Sequence, residues 1–152
     1  MAVIQRSVVI AIPVEQAFDF VADWRNVEKF YEGVSDYRPA TEKVRGDGAR
    51  FTCRVGNPVV GGIPYEVEFS DFVEHVGWTV TAVRGPKVVE HWRFERLEGG
   101  AGETRVTYDL IYEVPLPLVG RLIGALLSQP LWARRVERSL QNLKALLEGQ
   151  DG

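Results

Sequence analysis

The sequence predicts an α+β fold in which one long C-terminal helix packs against a curved antiparallel sheet. From Pro130 to Leu147, apolar residues recur at three- and four-residue steps, which is the spacing of one buried helix face. From Ser35 to Val114, short segments instead alternate apolar and polar residues between Gly- and Pro-containing turns. The helix is the one predicted element long enough to cover the apolar face of the sheet. Folds of this kind often keep a cavity between sheet and helix, and we expect the function to lie there.

The elements before the long helix follow from the same patterns. Val3 to Ile12 is rich in Val and Ile and predicts a first strand, which a proline ends. Val14 to Val21 has helical spacing, and Asp23 can cap a second short helix with apolar positions at Phe30 and Tyr31. After these two short helices, recurrent turn signals predict a meander of about six strands joined by hairpins.

Length and composition predict one domain that spans residues 1–152. A chain of 152 residues with 45% hydrophobic residues can bury a continuous core without a metal or a disulfide. The net charge of -3 gives no basic field for phosphate groups, so we expect no nucleic-acid partner. Cys53 is the one cysteine, which excludes an intrachain disulfide and fits a reducing compartment. Met1 to Ile12 alternates like a strand and does not resemble a signal peptide, so we predict a cytoplasmic location.

Several kinds of active site are disfavoured by their missing motifs. The two histidines, His75 and His91, lie in separate predicted strands and lack the spacing that holds a tetrahedral metal. No phosphate-binding glycine loop and no GxSxG motif occur. Cys53 has no neighbouring histidine and fits a small buried thiol better than a nucleophile. We therefore expect no metal site and no cofactor.

Glu90 is the polar residue that the strand period places inside the cavity. If Val88, Trp92 and Phe94 face inward, a period of two puts Glu90 on the same face. A carboxylate there could act as a general acid or base or could bind the polar end of a ligand. The alternative is a structural ion pair with a basic group, for which Arg84 on the preceding strand is the obvious partner.

Aromatic residues on the inward faces are the candidates for the cavity wall. Tyrosine hydroxyls there could orient a ligand oxygen, although each ring could equally serve as core packing. Tyr108 is the candidate to share proton transfer with Glu90. The expected ligand contacts are Tyr65, Phe69, Trp78, Trp92, Phe94, Tyr108, Tyr112 and Leu126.

The segment from Leu116 to Gln129 differs from its surroundings in its proline, glycine and leucine content. It is too short and too interrupted to span a bilayer, which takes about 20 apolar residues. Three alternatives remain open for it: a mobile cover over the cavity, a static packing segment, or an apolar patch that contacts a partner or, transiently, a membrane.

The order and content of these elements resemble the START-like superfamily, also described as SRPBCC or Bet v 1-like, and specifically its polyketide cyclase/dehydrase and lipid-transport branch. The resemblance covers nearly the whole chain. It is carried by the segments Ile10–Asp23, Trp92–Glu95, Thr104–Tyr108 and Glu137–Lys144. It implies a helix-grip fold, in which a seven-stranded antiparallel sheet curves around the C-terminal helix and two short helices follow the first strand.

These observations favour a protein that binds or carries a hydrophobic small molecule, such as a lipid, a quinone or a polyketide-like compound. The first alternative is a cyclase- or dehydratase-type enzyme in which Glu90 and Tyr108 move protons. The second alternative is a protein-interaction module, because some members of the superfamily that the chain resembles act on macromolecules. The sequence fits a monomer or a homodimer.

Overall fold

The computed structural model describes residues 2–56, 62–98, 102–113 and 118–149, with the backbone alone for 118–129. A 3₁₀ turn at Trp24–Asn26 separates the two short helices. The helices and strands, in chain order, are β1 (Ala2–Ile10), α1 (Val14–Ala22), α2 (Val27–Phe30), β2 (Val34–Pro39), β3 (Arg50–Val55), β4 (Ile63–Val73), β5 (Gly77–Arg84), β6 (Val88–Arg96), β7 (Thr104–Tyr112) and α3 (Leu118–Gly149).

All seven strands form one antiparallel sheet in the order β1-β7-β6-β5-β4-β3-β2. The strands from β2 to β7 are a meander of neighbours, and β1 closes the far edge by pairing with β7. The sheet curls into a half-barrel that holds the C-terminal helix, as the helix-grip prediction required. The predicted fold class is therefore confirmed.

Two of the irregularities in the sheet contain an aspartate in an unusual backbone conformation. The register shifts between Ser35 and Arg38 on β2 and between Ser70 and Val73 on β4. Each bulge contains an aspartate with a positive φ of 52°, Asp36 in the first and Asp71 in the second. Aspartate tolerates this conformation better than most residues. Because a bulge bends its strand and increases the local twist, these positions help the sheet to wrap around its contents.

The C-terminal helix begins earlier than the sequence predicted. α3 runs from Leu118, with Pro130 inside it, whereas the amphipathic pattern placed its start at Pro130. A proline in a helix interior removes one backbone hydrogen bond, but here the helix continues on both sides of it. The predicted inner face is confirmed, since Val136, Leu140 and Leu143 are buried. Among the described helices, none combines the length and the hydropathy needed to cross a membrane.

Polar contacts fix α3 against both the sheet and α2. The Lys144 ammonium donates to the carbonyl of Val9 on β1 at 2.8 Å. The side-chain amide of Asn142 donates to the carbonyl of Phe30 at 3.2 Å, and the backbone N–H of Glu32 donates to Ser139 Oγ at 2.9 Å. The short helix that follows α1 is thereby held between the long helix and the open end of the sheet.

We predict that Leu140→Asp unfolds the domain. Leu140 is 2% exposed, and an unpaired carboxylate in a packed core costs several kcal/mol against a total stability of about 5–15 kcal/mol. Gln141→Asp, on the exposed side of the same helix turn, is the matched control and should melt close to the unmodified protein. Thermal unfolding followed by circular dichroism measures both, and equal melting temperatures for the two variants would contradict the packing of α3.

Candidate functional site

A cavity lies between the concave face of the sheet and the three helices. Its volume is about 250 Å³, just below the roughly 300–1,000 Å³ of pockets that hold drug-sized ligands. Strands β2 to β7 contribute side chains to its wall, and the described side chains of α3 add Trp132. Ile63 and Glu113 belong to the same wall and are exposed, so the cavity reaches the surface at this end of the sheet.

Most of the aromatic residues that the sequence suggested lie on this wall. The ones on it are Tyr65, Phe69, Trp78, Trp92 and Tyr112. Phe94 is buried beside the cavity, because Phe18 of α1 packs against it with ring centroids 5.2 Å apart. Tyr108 is also buried behind the wall, and the side chain of Leu126 falls outside the part of the chain whose side chains the structure describes. That these residues contact a ligand stays a prediction.

The strand register produces the aromatic wall. Trp78, Trp92 and Tyr108 stand opposite one another on β5, β6 and β7. The indole rings of Trp78 and Trp92 stack at 6.0 Å, and the ring of Tyr108 lies 4.5 Å from that of Trp92. Because side chains alternate along a strand, the row two residues away faces the same side. That next row consists of Val80, Glu90 and Leu110, so Glu90 is the polar member of an apolar row.

The Glu90 carboxyl group is bound by two tyrosine hydroxyls. Tyr108 donates to Glu90 Oε1, and Tyr31 donates to the same oxygen at 3.1 Å. The two hydroxyl oxygens also lie within hydrogen-bonding distance of each other, and because each hydroxyl has one proton, a bond between them takes the place of one bond to Glu90 Oε1. These three side chains come from different elements, since Tyr31 caps the end of α2 while Glu90 and Tyr108 belong to neighbouring strands. We call them the Glu90 cluster.

The second carboxyl oxygen of Glu90 is available to a ligand. Oε2 accepts no hydrogen bond within the described part of the chain, and protein atoms do not enclose it completely. Since Glu90 lies on the cavity wall and the tyrosines bind Oε1, we infer that Oε2 is the oxygen that a ligand in the cavity would reach. It can accept a hydrogen bond when ionised and can donate one when protonated.

The apolar surroundings shift the proton affinities of the cluster. Burial raises the pKa of Glu90 above its usual range, and the hydrogen bonds from Tyr108 and Tyr31 act in the opposite direction. Burial, together with the nearby Glu90 charge, raises the pKa values of Tyr31 and Tyr108 well above 10. The tyrosines therefore remain protonated donors, and Glu90 is the member of the cluster that titrates first as the pH rises.

The expected ion pair with Arg84 is not formed. Arg84 lies near the end of β5, opposite Glu66, and is exposed. Within the described residues no basic side chain pairs with Glu90, because tyrosine hydroxyls occupy the place that the sequence assigned to an arginine. Tyr31 was missed as a polar contributor, since its helical spacing suggested only core packing. No local sequence signal distinguishes a tyrosine that packs in the core from one that binds Glu90, because the contact between Tyr31 and Glu90 forms only when α2 packs over the sheet.

Two further groups of reactive type have structural explanations. Burial raises the pKa of the Cys53 thiol to about 12, which keeps it protonated and unreactive on the cavity wall. Asp19, Glu74 and His75 hold possible metal-ligand atoms within 4.8 Å of one another on the surface. Both of these carboxylates already pair with the guanidinium of Arg45, at 3.0 Å for Asp19. We therefore interpret this group as an ion-pair network.

We predict that Glu90→Gln changes the pH dependence of stability. A pKa raised by folding means that the folded state holds the proton more tightly than the unfolded state, so the stability of the unmodified protein falls as the pH rises through the folded pKa. The melting temperature of Glu90→Gln should therefore rise relative to that of the unmodified protein as the pH increases above about 4.5. The difference is about 1.4 kcal/mol for each unit of raised pKa.

The control is Glu95→Gln, which makes the same change on the outward side of β6. Its melting temperature should follow that of the unmodified protein across the pH range. Parallel curves for Glu90→Gln and the unmodified protein would show that Glu90 has an ordinary proton affinity.

Known proteins share this architecture. A family model described as polyketide cyclase / dehydrase and lipid transport matches residues 1–148. No protein of curated function matches the chain in sequence. The structure of TTHA0849 from Thermus thermophilus has a TM-score of 0.81 and 17% identity, with 99% of this chain and 100% of that protein covered.

Two further solved structures are similar at comparable identity. DR_A0006 from Deinococcus radiodurans has a TM-score of 0.68 and 16% identity, and the match covers 97% of this chain and 99% of that protein. The di-domain ARO/CYC StfQ from the steffimycin biosynthetic pathway has a TM-score of 0.70 and 15% identity, over 97% of this chain and 46% of StfQ. At these identities the likeness shows the fold alone. The family model covers almost the whole chain, and the chain therefore belongs to the polyketide cyclase / dehydrase and lipid transport family.

Proposed function

We propose that the chain binds a compact hydrophobic molecule in the cavity and anchors the polar end of that molecule at the Glu90 cluster. The observation that carries this proposal is the contrast within the wall, where the Glu90 carboxyl group lies among apolar and aromatic side chains and the other described carboxylate of the wall, Glu113, is exposed at the surface. Such a wall excludes water from an apolar ligand, and a single polar group fixes its orientation. The family, whose description includes both polyketide cyclases and lipid transport, supports a hydrophobic ligand.

The cavity volume narrows the class of ligand. A space of about 250 Å³ suits a quinone or polyketide-like molecule of about two or three rings, or a short alkyl chain, better than a lipid with two long chains. Stacked rings such as Phe69 and Trp78, 5.6 Å apart, offer flat surfaces that complement a planar ligand. Within the broad expectation of a lipid, a quinone or a polyketide-like compound, we therefore favour a planar ligand.

The geometry of Glu90 also supports a second candidate, an enzyme of the cyclase or dehydratase type. A carboxyl group in an apolar cavity, hydrogen-bonded by tyrosines, can give or take a proton while the wall holds a substrate folded. Binding leads because Tyr31 and Tyr108 keep their protons, which leaves one exchangeable proton in the cluster. Retained ligand affinity with lost turnover in Glu90→Gln would favour the enzyme. The other alternative to binding, a protein-interaction module, draws no support from the cavity.

We predict that the neutral fluorophore N-phenyl-1-naphthylamine quenches the tryptophan emission of the protein in a saturable way. Trp78, Trp92 and Trp132 lie on the cavity wall, whereas Trp24 does not. Fluorescence titration should therefore show that Trp92→Phe loses more of the quenching signal than the matched control Trp24→Phe. Quenching that never saturates, or that falls equally in both variants, would argue against ligand binding in this cavity.

A further inference from the structure

The charged side chains of the described cavity wall are all acidic. Its ionisable carboxyl groups are those of Glu90, in the interior, and Glu113, at the surface. Among the described residues of the wall there is no lysine, arginine or histidine. Lys87 lies outside the wall and pairs with Glu113 at 3.9 Å. A ligand that enters the cavity therefore meets acidic side chains, and no basic side chain, among the described residues of the wall.

An anionic ligand would lose hydration in this cavity without gaining a counterion among the described residues of its wall. Moving an ionised group into apolar surroundings is costly unless it is paired there. The hydroxyls of Tyr31 and Tyr108, which bind Glu90, are already directed at Glu90 Oε1 or at each other. A ligand carboxylate at Oε2 would also face a second carboxyl group, and like charges at short range disfavour one another.

A protonated amine meets the opposite conditions. Oε2 of Glu90 has no hydrogen-bond partner among the described residues, Glu90 lies on the cavity wall, and a positive charge beside it favours the ionised carboxylate. Tyr31 and Trp92 are on the wall near this oxygen. Both rings contact the ring of Tyr108, with centroid distances of 5.7 Å for Tyr31 and 4.5 Å for Trp92. Aromatic rings attract a cation by their quadrupole.

We propose that the cavity selects its ligand by charge: it takes a compact aromatic molecule whose polar group is a protonated amine or a neutral hydrogen-bond donor, bound at Oε2 of Glu90, and it rejects the matching carboxylate. This inference rests on the proposed function, because it assigns the ligand class of the same cavity. It separates amines and alcohols from free fatty acids and other anionic ligands of similar size.

Three ligands with the same naphthalene ring test the proposal by isothermal titration calorimetry near neutral pH. They are the neutral 1-naphthylmethanol, the cationic 1-naphthylmethylamine and the anionic 1-naphthoate. We expect the unmodified protein to bind the alcohol and the amine, and to bind the amine at least about tenfold more tightly than the carboxylate. In Glu90→Gln, that ratio should fall about tenfold while the affinity for the alcohol changes little. Glu95→Gln, on the outer face of β6, should keep the original ratio.

The outcomes separate this inference from the proposed function. Binding of the alcohol together with equal affinities for amine and carboxylate would overturn charge selection and leave the hydrophobic binding function in place. An unchanged ratio in Glu90→Gln would show that Glu90 does not set the selection. Failure of all three ligands to bind would overturn the proposed function and the inference with it. The ratio measured on the unmodified protein decides the charge selection by itself if the Gln variant fails to fold.

Discussion

The hydrogen bonds from Tyr31 and Tyr108 to the Glu90 carboxyl group are the interaction on which the rest of the site depends. An unpaired carboxyl group in an apolar interior would destabilise the fold, and the two hydroxyls reduce that cost while leaving Oε2 free. Tyr31 ends α2, whereas Glu90 and Tyr108 lie on β6 and β7. The same contacts therefore join α2 to the sheet across the cavity. The polar group available to a ligand and the position of α2 are therefore fixed together.

The cavity around the Glu90 cluster remains because the side chains of the sheet and the helices do not fill the space between them. The sheet curves, and α3 is anchored at its edge strand, where Lys144 bonds the Val9 carbonyl. The large rings of the wall pack against one another, as Trp78 does with Trp92, while smaller residues such as Val80 and Cys53 leave volume between them. Family members with this scaffold can thus differ in function by changing what lines the wall, without changing how the sheet holds the helix.

Sequence patterns predicted the features that depend on periodicity and missed those that depend on long-range packing. The period of two placed Glu90 on the inner face, and the helical spacing identified the buried side of α3. The contact between Tyr31 and Glu90 joins residues 59 positions apart through the docking of α2, so no local pattern reports it. For the same reason Arg84 was a plausible partner that the structure does not use. The start of α3 was misplaced because the amphipathic pattern begins at Pro130, a residue type that is well tolerated in a first helical turn, although the helix continues through it.

The most direct test of this account is the proton affinity of Glu90 itself. Carbon-13 NMR of the glutamate carboxyl groups, with the Glu90 signal assigned by its loss in Glu90→Gln, follows the titration of this one group. We predict that Glu90 titrates above its ordinary pKa of 4.5, and that Tyr31→Phe raises this pKa further because one hydrogen bond to the carboxylate is lost. A Glu90 signal that titrates at or below 4.5, or that does not respond to Tyr31→Phe, would contradict it.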